Sequence, residues 1–199
     1  MSEPTPSLPP SGDDQGLEQA RLLAAMAKGD RSALGRLYDS IARPLYSLAY
    51  RIVNDSAEAQ DIVQDVFLQI WQKAASYDTT RGSVFGWAAT LTRNRAIDRV
   101  RMRKRRSELL AESAPDLQPA PLEGDLDSGA SLWLQEKARA VRTALGQLAP
   151  DQKTAIELAF FSGLTQLQIA AKLNEPLGTI KARIRRGLLK LKETLPTRL

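Results

Sequence analysis

The 199-residue sequence contains neither cysteine nor histidine. Disulfides, zinc fingers and iron–sulfur ligation are thereby excluded. So are nucleophilic sites built on Cys–His or Ser–His–Asp, and an enzyme made from this chain would have carboxylates or lysine alone. There is no glycine-rich phosphate loop, and no apolar run reaches the length of a membrane span. Residues 1–16 have neither the basic start nor the hydrophobic middle of a secretory leader. These absences predict a soluble, cytoplasmic protein with no membrane insertion, no cofactor and no metal. A different absence marks residues 107–136, which hold no lysine or arginine at all.

What is present is ordinary in amount and unusual in placement. Hydrophobic residues make up 43 %, enough for a buried core in one or two domains. The formal charge of +5 is gathered into residues 93–106 and 181–198, with an acidic segment between. Two clustered basic faces are the electrostatic footprint of a polyanionic partner.

The more telling basic cluster lies in T-Q-L-Q-I-A-A-K-L-N-E-P-L-G-T-I-K-A-R-I-R-R-G, residues 165–187. Thr165 with Gln168 three residues on is a capping box, so a helix opens there. Leu167, Ile169, Ala170 and Leu173 are expected to bury one side. Asn174 suits a left-handed helix end, and Pro176 cannot continue the helix. A second helix starts near Leu177, with Ile180, Ile184, Leu188 and Leu191 at helical spacing. This is a helix-turn-helix, whose second helix carries Thr179, Lys181, Ala182, Arg183, Arg185 and Arg186 in its first turns. Such a helix places its N-terminal half in the DNA major groove, where Arg and Lys pair with guanine edges or phosphates. The plainer reading is a solvated basic face.

Taken from the start, residues 1–16 are rich in proline and polar residues and read as a disordered tail. Leu17, Ala20, Leu23, Ala24 and Ala27 mark a short amphipathic helix. Asp30 caps the next, with a stripe through Leu34, Leu37, Tyr38, Ile41, Leu45, Leu48 and Ile52, which Pro44 should kink or restart. Asp55 and Glu58 form a second capping box, opening a helix whose pairs Ile62/Val63, Val66/Phe67 and Ile70/Trp71 face a core. Its other face holds Asp61, Gln64, Asp65, Leu68 and Gln72, an acidic and amide surface around an outward leucine, suited to docking. A solvated face and a two-carboxylate metal site are the alternatives.

Residues 76–83 form a polar loop, followed by one long helix from Val84 to Arg106. Its first half (Phe85, Trp87, Ala88, Leu91) is apolar; its second carries Arg93, Arg95, Arg99, Arg101, Arg103, Lys104, Arg105 and Arg106. Aromatics ahead of a basic helix suit single-stranded nucleic acid, through stacking and phosphate pairing, unless the rings are simply core. Residues 107–130 form a flexible acidic linker. Helices resume from about Ser131: one striped by Ala138, Val141, Leu145 and Leu148, and one from Pro150 through Ile156, Leu158 and Phe160/Phe161 to Gly163. The fold class is therefore all-α, with two small helical domains (17–106 and 131–199) on either side of the linker. With such a linker, domain spacing is expected to be set by a partner rather than by the chain.

Four stretches in this order resemble a known family, the bacterial extracytoplasmic-function (ECF) sigma factors of RNA polymerase. They are A-L-G-R-L-Y-D-S-I-A-R-P-L-Y-S-L-A-Y-R, A-Q-D-I-V-Q-D-V-F-L-Q-I-W, F-G-W-A-A-T-L-T-R-N-R-A-I-D-R-V-R, and L-A-P-D-Q-K-T-A-I-E-L-A-F-F-S-G-L-T-Q-L-Q-I-A-A-K-L with P-L-G-T-I-K-A-R-I-R-R-G. The resemblance covers Leu17 to about Leu195. It implies a sigma-2-like domain, a sigma-4-like domain and the partners core RNA polymerase (β′ clamp helices and β flap), promoter DNA and an anti-sigma factor.

By resemblance, Asp61, Gln64, Asp65 and Leu68 dock on the clamp helices. Tyr77, Arg81 and Asn94 capture a flipped base of the melted −10 element, and Arg95, Arg99 and Arg101 hold the strand. Thr179, Lys181, Ala182, Arg183, Arg185 and Arg186 read the −35 element, and the linker threads toward the RNA exit path. The chain departs from the family pattern at Gln60, usually an acid, at Ala182, more often Ser, and at Asn174, often Gly. Two other readings compete: a free-standing helix-turn-helix regulator, and a phosphodiesterase using Asp61 and Asp65 with a divalent metal.

Overall fold

A computed structural model describes residues 12–78, 80, 82–109 and 132–195. Among them are eight α-helices and no strands. The first group is α1 (Gly12–Ala27), α2 (Arg31–Val53), α3 (Ser56–Lys73) and α4 (Val84–Leu109), with a 3-10 turn at Ala74–Ser76. The second is α5 (Leu132–Gly146), α6 (Pro150–Phe160), α7 (Gln166–Leu173) and α8 (Leu177–Thr194).

Local chemistry sets most boundaries. Asp30 caps α2, its carboxylate accepting from the Ser32 and Ala33 amides at 2.8 and 3.3 Å; these bonds, led by that from the Ser32 hydroxyl, hold its pKa below the usual value. Asn54 ends α2 at φ 53° and Asn174 ends α7 at φ 51°, a left-handed conformation that asparagine tolerates. Pro44 neither breaks nor restarts α2, which runs on to Val53. Asp55 accepts from the Glu58 amide at 2.9 Å, but the box is only half made. The Glu58 carboxylate turns to Arg103, 3.7 Å away on α4.

The first core gathers one face of each of α1–α4. Leu37, Ile41 and Leu45 of α2 meet Ile62, Val66 and Ile70 of α3, with Val84, Ala88 and Ile97 of α4. Each such aliphatic chain, fully buried, contributes about 1.5–3 kcal/mol. Thr92 is buried among them, its hydroxyl donating to the Ala88 carbonyl at 2.9 Å. Helix α1 starts at Gly12, five positions before the expected Leu17, and turns a different face inward. Leu22, Leu23, Met26 and the amide of Gln19 are buried, while Leu17, Ala24 and Ala27 face out. Long side chains remove more apolar area from water than the alanines that suggested the other register.

The second core is smaller: Ala155 of α6, Ile169 and Ala170 of α7, Ile180 and Ile184 of α8. Helix α8 lies so close to α6 that a Cβ at Gly187 would stand 2.5 Å from Ile156 Cδ1. Its inner stripe is thus Ile180, Ile184, Gly187 and Leu191, and Leu188 is exposed, contrary to the expected pattern. Leu167 and Val141 likewise lie on the surface. The acidic segment falls outside the described residues except where α4 continues to Leu109.

Candidate polymerase and nucleic-acid interfaces

Three surfaces hold the residues singled out in the sequence. On α3, burial of Ile62, Val63, Val66 and Phe67 turns Asp61, Gln64 and Leu68 outward, with Leu68 58 % exposed. Asp65 is half-buried beside them, and its carboxylate is 3.5 Å from Arg95 on α4. Among the described residues no three acidic side chains gather as a metal site would require.

The second surface is the loop before α4 and the outer side of that helix. Tyr77 is half-buried, its ring centroid 5.0 Å from that of Trp87 and its hydroxyl donating to the Gly82 carbonyl at 2.7 Å. Burial pushes the phenol pKa up, and the charge of Asp78 adds to it. Asp78 in turn accepts from the Thr80 amide and hydroxyl. Arg81 lies outside the described residues. Phe85 and Trp87 both pack against the first core, so these rings are engaged in holding α4.

Along α4 the expected residues divide between two sides. Asn94 and Arg101 border a polar cleft with Arg93, Asp98 and the second helical group. Arg95 points to Asp65, and Arg99 is half-buried. Arg103 donates to the Val53 carbonyl at 2.9 Å as well as pairing with Glu58, which ties the far half of α4 to the corner between α2 and α3.

The third surface is α8. Lys181, Ala182, Arg185 and Arg186 are exposed and, with Gly178 and Leu189, line one shallow concavity. Its floor is apolar and its rim basic. Thr179 is half-buried at the helix start. Arg183 is different: it is 18 % exposed, with Nε 2.8 Å from Asp151 and Nη2 3.1 Å from Glu175. Its guanidinium joins α8 to the first turn of α6 and to the turn of the helix-turn-helix, and is not part of the outward face.

A further set of contacts, which spacing along the helices does not signal, lies between the two groups of helices. Arg93 donates through Nη2 and Nε to the carbonyls of Ala159 and Phe160 at 2.8 and 3.0 Å, and its guanidinium lies 4.8 Å from the Phe160 ring centroid. Arg101 donates to the Gly163 carbonyl at 2.9 Å. Arg51 stacks 3.8 Å from the Phe161 centroid, and Phe161 itself packs against the first core. Burial lowers the pKa of both Arg51 and Arg93; Glu157 partly offsets this at Arg51, and Arg101 adds to it at Arg93. The chain's own side chains thus join the two groups, where the linker had suggested that spacing would be left to a partner.

Comparison with known proteins decides the family. Residues 37–106 match the model of sigma-70 region 2, and residues 138–191 that of sigma-70 region 4. The ECF RNA polymerase sigma factor SigK of Mycobacterium sp. (strain KMS) is 34 % identical over 174 residues, covering 87 % of this chain and 89 % of that protein. The chain belongs to the ECF RNA polymerase sigma factors.

As a sigma factor, it binds core RNA polymerase and directs promoter recognition, strand opening and transcription initiation. SigK of Mycobacterium tuberculosis (strain ATCC 25177 / H37Ra) is 30 % identical over 175 residues, covering 87 % of this chain and 91 % of that one. Rhodobacter sphaeroides SigE, solved in complex with the anti-sigma ChrR, is 29 % identical, with 87 % of this chain and 98 % of that one covered and a TM-score of 0.45. Sigma factors as a class are not enzymes and are normally cytoplasmic. Among the described residues no helix is long and apolar enough to cross a membrane.

Proposed function

We propose that the three surfaces divide the work of this sigma factor. Asp61, Gln64, Asp65 and Leu68 dock on the β′ clamp helices, a leucine giving apolar area and the acids and amide giving orientation. The loop from Tyr77 through Arg81, with Asn94, holds a base flipped out of the −10 element, and Arg95, Arg99 and Arg101 pair with phosphates of the opened strand. Thr179, Lys181, Ala182, Arg185 and Arg186 meet the −35 element in the major groove, while Arg183 positions that helix through Asp151 and Glu175. The protein acts in the cytoplasm, does no covalent chemistry itself and opens DNA by binding energy alone. Its residues 17–106 and 131–199 serve as the two working domains, its acidic segment 107–130 as the connector toward the RNA exit path, and an anti-sigma factor as its inhibitor.

The observation that carries this reading is the outward face of α8. Three cations surround an apolar floor on the side opposite Ile180 and Ile184, which lock the helix in place. A free-standing regulator would need only this face and would leave the exposed Leu68 surface of α3 without work. The test is in vitro transcription with core polymerase over a genomic library, with start sites mapped. Start sites sharing paired upstream elements are expected; sequence-specific binding by the free protein with no effect on polymerase would overturn it.

A further inference from the structure

The outward face of α8 is basic at its edges and apolar along its middle. Ile180 and Ile184 are buried in the second core. At about 100° per residue, the direction opposite them falls to Gly178, Ala182 and Leu189. Lys181 and Arg185 flank that line on one side and Arg186 on the other, all six around the same concavity. The middle of the face thus carries no side-chain donor or acceptor: Gly178 has no side chain, Ala182 a methyl and Leu189 an isobutyl group.

Two details set what this middle line can meet. No side-chain or backbone neighbour lies within 4 Å of the Cβ position at Gly178. A duplex can therefore come close enough to the helix for a one-carbon side chain at Ala182 to reach a base. Arg186 folds back along the same turn, its Nε donating to the Ala182 carbonyl at 3.4 Å, so a guanidinium lies beside the Ala182 turn. Such a face sorts base edges by polarity. A guanine O6 or cytosine amine pressed on Ala182 would lose its water and gain no partner. The one methyl group in the major groove is the C5-methyl of thymine, which gains by leaving water.

We infer that Ala182 is a specificity residue that seats the C5-methyl of a thymine in the −35 element, with a guanine in the neighbouring base pair held by Arg186. Arginine suits that guanine because its fork matches O6 and N7. Lys181 and Arg185, on the other flank, hold the helix at the depth the methyl contact needs. The inference rests on the reading of α8 as the helix that meets the −35 element, and it names what that helix prefers.

The test uses the full chain bound to core RNA polymerase. A random −35 library with a fixed −10 element and spacing is transcribed, and the most active template is resynthesised. Each thymine of its −35 element, on either strand, is replaced singly by deoxyuridine, which removes the methyl and leaves the pairing unchanged. One replacement is expected to lower transcription about fourfold, the weight of one methyl group taken out of water. In Ala182→Gly the two templates should be transcribed equally. The readout is a ratio within one protein, so a general loss of activity cancels. Ala182→Ser, closer to alanine in helix propensity, should tolerate a C·G pair at that thymine better than the parent does, since its hydroxyl can pair with a polar edge. No methyl-sensitive thymine in the parent overturns the inference, as does equal sensitivity in Ala182→Gly or an unchanged tolerance in Ala182→Ser. Retention of the neighbouring guanine by Arg186→Ala overturns the pairing with Arg186. The underlying reading fails separately: if Arg185→Ala and Arg186→Ala select the same library sequences as the parent and no thymine is methyl-sensitive, α8 does not read bases at all. Changed selections in those two variants without a methyl-sensitive thymine remove Ala182 alone.

Discussion

Arg95 Nη1 stands 3.5 Å from Asp65 Oδ2, so a residue assigned to the DNA strand is paired with one assigned to polymerase docking. Both side chains are about half exposed, 48 % and 47 %. A pair of this kind contributes at most about 1 kcal/mol to stability. Arg95→Ala should therefore leave the melting temperature almost unchanged. A fall of more than a few degrees would mean that Arg95 acts in folding, and any transcription defect could then no longer be assigned to DNA.

The docking face should be separable from both DNA faces. Asp61→Lys, Asp65→Lys and Leu68→Ala combined are expected to abolish co-purification with core polymerase, since like charges and a lost apolar anchor oppose the interface. Helical content should be retained, because the buried stripe of α3 is untouched. Unchanged recovery of polymerase would remove α3 from the interface.

Asn94→Ala should act on opening. Transcription from a duplex promoter is expected to fall much further than from a template already melted at the −10 element. Equal losses on both templates would give Asn94 a structural role only, through the 3.3 Å bond it accepts from Arg93.

The arginines of α8 should not be equivalent. Arg185→Ala and Arg186→Ala are expected to relax sequence preference at the −35 element, a bidentate contact being worth about 1–3 kcal/mol against the wrong base. Arg183→Ala should instead lower stability by about 1–3 kcal/mol, leaving the carboxylates of Asp151 and Glu175 without their partner. Transcription of a randomised −35 library and thermal melting of each variant separate the two outcomes. A changed preference with Arg183→Ala and no change with the other two would reverse the assignment.

Gly187→Ala is expected to destabilise the second group of helices by about 1–3 kcal/mol, since the new methyl meets Ile156. Combining it with Ile156→Val should recover part of that loss. Melting curves of the two single variants and the double variant decide it; strict additivity would show that the two positions do not touch.

Features written in local chemistry were legible in the sequence. The Thr165–Gln168 box, the asparagine ends at 54 and 174, and the double stripe of α3 each depend on residues within a turn or two of one another. What the sequence hid depends on partners far along the chain. Arg93, Arg103 and Arg183 read like every other cation in their runs, yet each is bound to protein groups that spacing along its own helix cannot reveal. Glu58 fitted a capping box but pairs across helices instead. The register of α1 and the outward turn of Leu188 failed for a related reason: which apolar side chain is buried is decided by the neighbouring helix, as where α6 approaches Gly187.

The anchoring of Arg103 to Glu58 and the Val53 carbonyl has a metric consequence. With its apolar start in the core and its basic half fastened at a second point, α4 is a rigid ruler. From Asn94 to Arg106 the rise is about 18 Å at 1.5 Å per residue, close to five base steps at about 3.4 Å each. On the proposed reading, the contacts that Asn94 and the arginines after it make with the strand are spaced by helical rise, whatever the length of the segment that follows. An inserted alanine in α4 between these points would shift the spacing by half a base step and rotate the downstream arginines by about 100°, so its effect on promoter opening should be far larger than the same insertion in the acidic segment.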